Sequence, residues 1–246
     1  MLPPDIIQLK QFYATRLGER VTDLIGDALV RLWPSAAGDA MLVIGFATPY
    51  MGNYIDSAAP LILCMPAEQG AAAWPHDKPN HVVLTHDAEL PLQNNSINRV
   101  LLIHSIEHSE NLNAMMEEVW RVLTPGGRVL AVVPNRVSMW VGSSHTPFGS
   151  GRPFNVLQLR SLLSSHQFTI TRVSHALFTP PFLLKLSKRL GTKLEKLGRI
   201  CWWFMGGVLM VEAEKQLYAS IKESVVTRKS HRLRIARQTV GASRKD

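Results

Sequence analysis

The chain has 246 residues, 46% of them apolar, and 27 Lys/Arg against 19 Asp/Glu for a formal charge of +8. That is enough for one substantial globular domain, burying about 70–75% of the surface it exposes unfolded, and a mean hydropathy near zero fits that class. Cys64 and Cys201, without CxxC or Cys/His spacing, exclude a disulfide framework and a zinc site. No metal site is expected. The longest apolar run, ICWWFMGGVLMV, has twelve residues, short of the ~20 a membrane span needs, and the opening MLPPDIIQLK lacks the apolar core of a signal peptide. The expected setting is a reducing cytoplasm.

From Asp5 to Leu32 apolar residues fall at helical spacing (Leu9, Phe12, Tyr13, Val21, Leu24, Ile25, Ala28, Leu29), with Gly18 separating two helices and Pro34 stopping the second. Short Val/Ile/Leu runs at 40–45, 60–65, 80–86, 98–104 and 128–134 then read as strands buried on both faces of a parallel sheet. SENLNAMMEEVWRVLTPGG reads as a helix with Ser109 as N-cap and Pro125-Gly126-Gly127 as its end. A Gly/Ser/Pro loop follows, then a helix near 155–165, a strand near 168–176, a helix through PFLLKLSKRLGTKLEKLG and a last strand over 206–218. Strands alternating with helices predict a doubly wound α/β sheet.

Such sheets bind ligands beyond the carboxyl ends of their strands. The first of these ends, MLVIGFATPYMG (41–52), runs from an apolar strand into Gly45 and a sharp turn, and Pro49 there suits a first helical turn. No G-x-G-x-x-G follows the strand, which disfavours a nicotinamide-dependent oxidoreductase.

Three stretches carry a family resemblance. HDAELPLQNNSINRVLLIHSIEH, EEVWRVLTPGGRVLAVVPN and GGVLMVEAEKQLY together resemble the class I S-adenosylmethionine-dependent methyltransferases of the type 11 group. The resemblance covers roughly 38–218 and implies a Rossmann-like, mostly parallel seven-stranded sheet with flanking helices and an antiparallel last strand. Its implied organisation is N-terminal helices at 1–37, a methyltransferase-like domain at 38–221 and a basic tail at 222–246. It implies S-adenosylmethionine as cofactor, held by Gly45, Phe46, Ala47, Thr48, Met65, Pro66, Asp87, Ala88, His104 and Ser105. In it Asp87 is the adenine-contacting position.

The cofactor loop departs from the family's pattern. Val43 stands where the family has an acidic residue, Ala47 and Pro49 where it has glycines, and Met65 where a carboxylate grips the ribose; Glu68 follows three residues later. Charge-assisted hydrogen bonds to such a carboxylate contribute about 1.5–3 kcal/mol each, so these losses weaken binding more than they endanger the fold. Methyl transfer from a sulfonium is a direct displacement, in which positioning and exclusion of water carry most of the catalysis. No fixed catalytic acid or base is assigned. The expected function is methyl transfer to an unidentified acceptor, and the alternative is a catalytically silent methyltransferase-fold subunit serving a protein partner.

His108, beside Glu107, is a candidate proton acceptor, and Arg136, Trp140 and Arg152 in PNRVSMWVGSSHTPFGSGRPF are candidate substrate contacts in a long loop. Trp202 and Trp203, after a run rich in Lys and Leu, form a candidate membrane-surface or partner patch. Residues 222–246 hold eight Lys/Arg against Glu223 and Asp246. The body is therefore nearly neutral, and the tail is a candidate for weak contact with nucleic acid or an anionic surface.

Overall fold

The computed structural model describes residues 4–143, 145–186 and 188–216. Seven strands, β1 (Met41–Gly45), β2 (Leu61–Pro66), β3 (Val82–Thr85), β4 (Ile97–Ile103), β5 (Leu123–Pro134), β6 (Phe168–Ala176) and β7 (Val208–Lys215), form one sheet. Its order is β3-β2-β1-β4-β5-β7-β6. β1 pairs in parallel with both β2 and β4, and β7 runs antiparallel between β5 and β6. The strand order reverses between β1 and β4, which marks that crevice as the ligand position of a doubly wound sheet.

Both faces of the sheet are covered. In β1, Met41 and Val43 face α1 (Ile6–Tyr13) and α2 (Arg16–Leu32), while Leu42 and Ile44 face α3 (Leu112–Val122) and α4 (Val156–Ser165). Double burial is why the strand sequences are continuous apolar runs. Asp5 caps α1, Thr15 caps α2, and Asn155 forms a capping box with Gln158 on α4.

Several local expectations are corrected. Gly18 does not separate the first two helices: it lies in the first turn of α2, and a Cβ there would fall 2.1 Å from the Phe12 carbonyl oxygen. It permits a close approach of the two helices. The N-cap of α3 is Asn111, whose Oδ1 accepts from the Ala114 N–H, and not Ser109. Pro125-Gly126-Gly127 do not end α3; they belong to β5, which begins directly at Leu123 opposite Ile97. The helix expected after β6 is described in two stretches, α5 (Pro181–Leu186) and α6 (Lys188–Cys201), on either side of residue 187, which lies outside the described residues. Pro49 opens only a short 3-10 turn, Thr48–Asn53. The last strand ends at Lys215, and the basic tail at 222–246 lies outside the described residues.

Two buried charges tie the far edge together. Glu212 accepts from Trp33 Nε1 at 2.8 Å and Arg172 Nε at 2.6 Å. Lys215 Nζ donates to the Trp120 and Leu123 carbonyls at the end of α3 and to Asn95 Oδ1, satisfying orphan carbonyls of the helix terminus. Among the described residues no helix is long and apolar enough to cross a membrane.

Candidate cofactor site at the strand ends

β1 ends at Gly45 with φ +97°, and a Cβ there would lie 2.1 Å from the Ile103 carbonyl oxygen. The glycine therefore permits the chain leaving β1 to pass close to the end of its parallel neighbour β4. Phe46 and Ala47 follow, fully buried, and the turn beginning at Thr48 swings Tyr50 inward. His104 follows directly after β4, and its φ of +53° is left-handed. That conformation costs a non-glycine residue about 1–2 kcal/mol, and such strain concentrates at functional sites.

α1 closes this crevice. The Tyr13 hydroxyl lies 2.7 Å from the Tyr50 hydroxyl and 2.7 Å from His104 Nε2. Its ring packs on Phe46 and His104, while Phe148 packs on His104, Phe12 and Trp140. None of these residues is more than 9% exposed. Burial pushes both phenols well above their ordinary pKa, so both stay neutral. Glu107 Oε1 sits 3.5 Å from His104 Nδ1, both side chains 1% exposed. Burial alone would raise the Glu107 carboxyl; His104 and His108 hold it below the usual value.

Beside this plug a smaller space remains open. A cavity of about 120 Å³ is walled by Pro66, Glu68, Gln69, Asp87, Ser105, His108, Ser109 and Glu110. Ser105 Oγ, His108 Nε2, Ser109 Oγ and Glu107 Oε2 are buried in or behind that wall with no hydrogen-bond partner among the described residues. Buried polar atoms are ordinarily paired, so this cluster calls for a polar occupant. Burial pushes the His108 imidazole below its usual value against the opposing pull of Glu107, leaving it neutral near pH 7. Gly151 presses on its ring: a Cβ there would fall 2.7 Å from His108 Cε1.

Of the expected cofactor residues, Pro66, Asp87 and Ser105 line this cavity, with half-buried Ala88 next to Asp87 in the turn after β3. Gly45, Phe46, Ala47 and His104 lie in the plugged part, with Thr48 half-buried at its edge. Met65 belongs to the core facing α1 and α2. Of the expected substrate residues only His108 reaches the cavity. Arg136 donates to the Pro153 carbonyl, the Arg152 guanidinium donates to the Ser109 carbonyl, and Trp140 Nε1 donates to the Thr179 carbonyl at 3.1 Å. These three fasten the loop after β5, whose ends are joined by the Asn135–Phe154 bridge.

Tyr13, Tyr50, Glu107, Gln69 and Phe148 were not expected here. Glu107 alone had a sequence signal, its place in HSIEH beside His108. Gln69 donates through Nε2 to the His104 carbonyl at 2.6 Å, and its own carbonyl accepts from the Ile6 N–H. It thereby links β2, β4 and α1.

The family model described as methyltransferase domain matches residues 45–131, from the glycine ending β1 to the middle of β5. Over residues 45–131 the chain is similar to that family. A Mycolicibacterium smegmatis protein named a probable S-adenosylmethionine-dependent methyltransferase is 29% identical over 144 residues, 57% of this chain. The chain thus spans about half the length of that curated relative, 56%. A SAM-dependent methyltransferase from Thermotoga maritima has the same fold, with a TM-score of 0.61 and 15% identity, covering 86% of this chain and 96% of its own. A chain from a complex between the Haloferax volcanii Trm112 methyltransferase activator and a methyltransferase gives 0.60 and 14%, covering 86% and 95%. The plugged crevice and the small cavity therefore both lie at the ligand end of a class I methyltransferase fold.

Proposed function

We propose that the chain binds S-adenosylmethionine across the carboxyl ends of β1, β2 and β4 and directs its methyl group to an acceptor carrying a hydroxyl or amine. The observation that carries this reading is the set of orphaned polar atoms, Ser105 Oγ, His108 Nε2 and Ser109 Oγ, around a cavity that also includes Asp87. These groups fit the adenosine end of the cofactor, where the family resemblance puts Asp87. The methionyl end fits only once Tyr13 leaves its place against Phe46 and His104. The cofactor would supply a methyl on a sulfonium, which becomes a neutral thioether on transfer.

This chain's own residues would do the rest. Asp87, Ser105 and Ser109 orient the cofactor by hydrogen bonds. Phe46, Tyr50 and Phe148 exclude water from the reacting centre. Neutral His108 accepts the proton that the acceptor sheds. The free thiols of Cys64 and Cys201 fit a reducing cytoplasm.

A second reading is favoured by the plug itself and by Met65, which cannot bond a ribose: a methyltransferase-fold subunit whose work is to bind a partner. Calorimetric titration with S-adenosylmethionine and S-adenosylhomocysteine, on the native chain and on Tyr13→Ala, separates the two. Micromolar binding by either protein supports the first. Silence from both to millimolar ligand leaves the second.

A further inference from the structure

The helical segment after β6 carries a face that neither the sheet nor the candidate site uses. α6 is fastened inward by two residues. Glu195, 3% exposed, accepts from the Thr179 N–H at 3.0 Å and from its hydroxyl at 3.2 Å. Gly198 allows close approach, since a Cβ there would fall 2.5 Å from Phe178 Cβ. With 100° per residue, placing 195 and 198 inward turns 197 and 200 outward. Leu197 is 48% exposed and Ile200 78%, and Phe182, Phe204 and Met139 are each more than half exposed nearby in the chain or at the adjoining loop. Met139 and Met205 also border an apolar pocket of about 150 Å³ walled by Trp140, Phe178 and Trp202.

The charge of the segment has one sign. Residues 181–205 contain Lys185, Lys188, Arg189, Lys193, Lys196 and Arg199, and Glu195, the one acid, is turned into the body. Lys196 and Arg199 flank Leu197 and Ile200 on the exposed side. Single exposed apolar residues need no explanation. Large apolar groups set among uncompensated cations on one amphipathic helix are the composition of an element that lies in a membrane interface.

We propose that the surface formed by Phe182, Leu197, Ile200 and Phe204 with Lys196 and Arg199, together with Met139, docks on an anionic phospholipid bilayer. Ile200, Leu197 and Phe204 enter the boundary between headgroups and acyl chains, and Lys196 and Arg199 meet lipid phosphates. A bilayer fits better than an acidic protein because the cations have no preset partner geometry: none of the described ones on α6 is held in an ion pair that would fix its direction. The inference does not rest on cofactor binding.

The test is vesicle flotation of the full chain, with phosphatidylcholine alone and with added phosphatidylglycerol, at low and high salt. The native chain is expected to float with the phosphatidylglycerol vesicles and to keep part of that binding in high salt. Ile200→Asp with Phe204→Asp should lower partitioning at least tenfold. Lys196→Ala and Arg199→Ala should each lower it about fivefold, the contribution of one cation near an anionic surface. Unchanged melting temperatures would establish that the variants fold. Absence of flotation overturns the proposal and leaves the patch to a protein partner. Flotation that Ile200→Asp with Phe204→Asp leaves unchanged also overturns it, assigning attachment to the basic residues after 222. Equal binding to phosphatidylcholine alone overturns the anionic preference.

Discussion

The phenol of Tyr13, in the last turn of α1, touches His104 Nε2 at 2.7 Å across 91 residues of sequence. That contact closes the crevice between β1 and β4, where the fold would take a ligand. Replacing Tyr13 by Phe strands the Tyr50 hydroxyl and the His104 nitrogen, at a cost of about 1–3 kcal/mol. Tyr13→Ala removes the ring as well and should cost about 3–5 kcal/mol. Urea unfolding measures both. The same Tyr13→Ala variant is expected to bind S-adenosylmethionine more tightly than the native chain, because the space is then open. Weaker binding by Tyr13→Ala would instead make the phenol part of the binding surface.

Asp87 and Ser105 both line the cavity. Asp87→Asn and Ser105→Ala should each weaken cofactor binding about tenfold, roughly 1.4 kcal/mol. Asp87 is half-exposed and its side chain makes no hydrogen bond among the described residues, so Asp87→Asn should leave the melting temperature within a degree or two. Titration calorimetry and thermal unfolding on the same samples separate a loss of binding from a loss of fold.

Gly45 and Gly38 both hold positive φ, +97° and +79°, but a Cβ on Gly38 meets nothing within 4 Å. Gly38→Ala should therefore cost only the backbone term, about 1–2 kcal/mol. Gly45→Ala adds a collision with the Ile103 carbonyl and should cost ~3 kcal/mol or more. Comparing the two by denaturant unfolding isolates the packing role of Gly45. Equal costs would contradict the close approach of Gly45 to the end of β4.

Acid should destabilise the protein in two stages. Burial lowers the pKa of His108 and of His175 below the ordinary 6.5. Below pH 6.5 the unfolded chain binds protons that the folded one refuses, so stability falls as pH falls and the penalty is absent above that value. Glu212 behaves as a depressed carboxylate: burial would raise it, but Arg172, Trp33 and Thr171 hold it below 4.5. Its contribution is complete above pH 4.5 and is lost as pH drops through the lowered folded value. Melting temperatures from pH 8 to 3 should decline first near 6.5 and again below 4.5. His108→Gln should flatten the first decline, and Glu212→Gln the second.

The central strands were legible because β1, β2 and most of β4 and β5 are buried on both faces, which favours an unbroken apolar run. The strand ends that border the candidate site were legible too, since they follow once the strands are known. Gly18 and Ser109 were misread for one reason. A glycine before a helix reads as a breaker and a serine as a cap, yet Gly18 answers to the Phe12 carbonyl and the capping belongs to Asn111. Arg136, Trp140 and Arg152 looked like substrate contacts because polar and aromatic side chains in a long loop so often are. Folded, they fasten that loop to Pro153, Thr179 and Ser109.

By itself the sequence determined the layered α/β sheet and the nearly neutral body, because periodicity and charge are local properties of the chain. Only the tertiary structure decided that the crevice past Gly45 is filled and that the open space lies beside Asp87, Ser105 and His108. Leu9, Phe12 and Tyr13 mark one face of α1, but nothing in their spacing says which strand ends that face covers. The docking of a helix over a sheet decides which volumes stay empty, and that docking is a sum over contacts between distant segments.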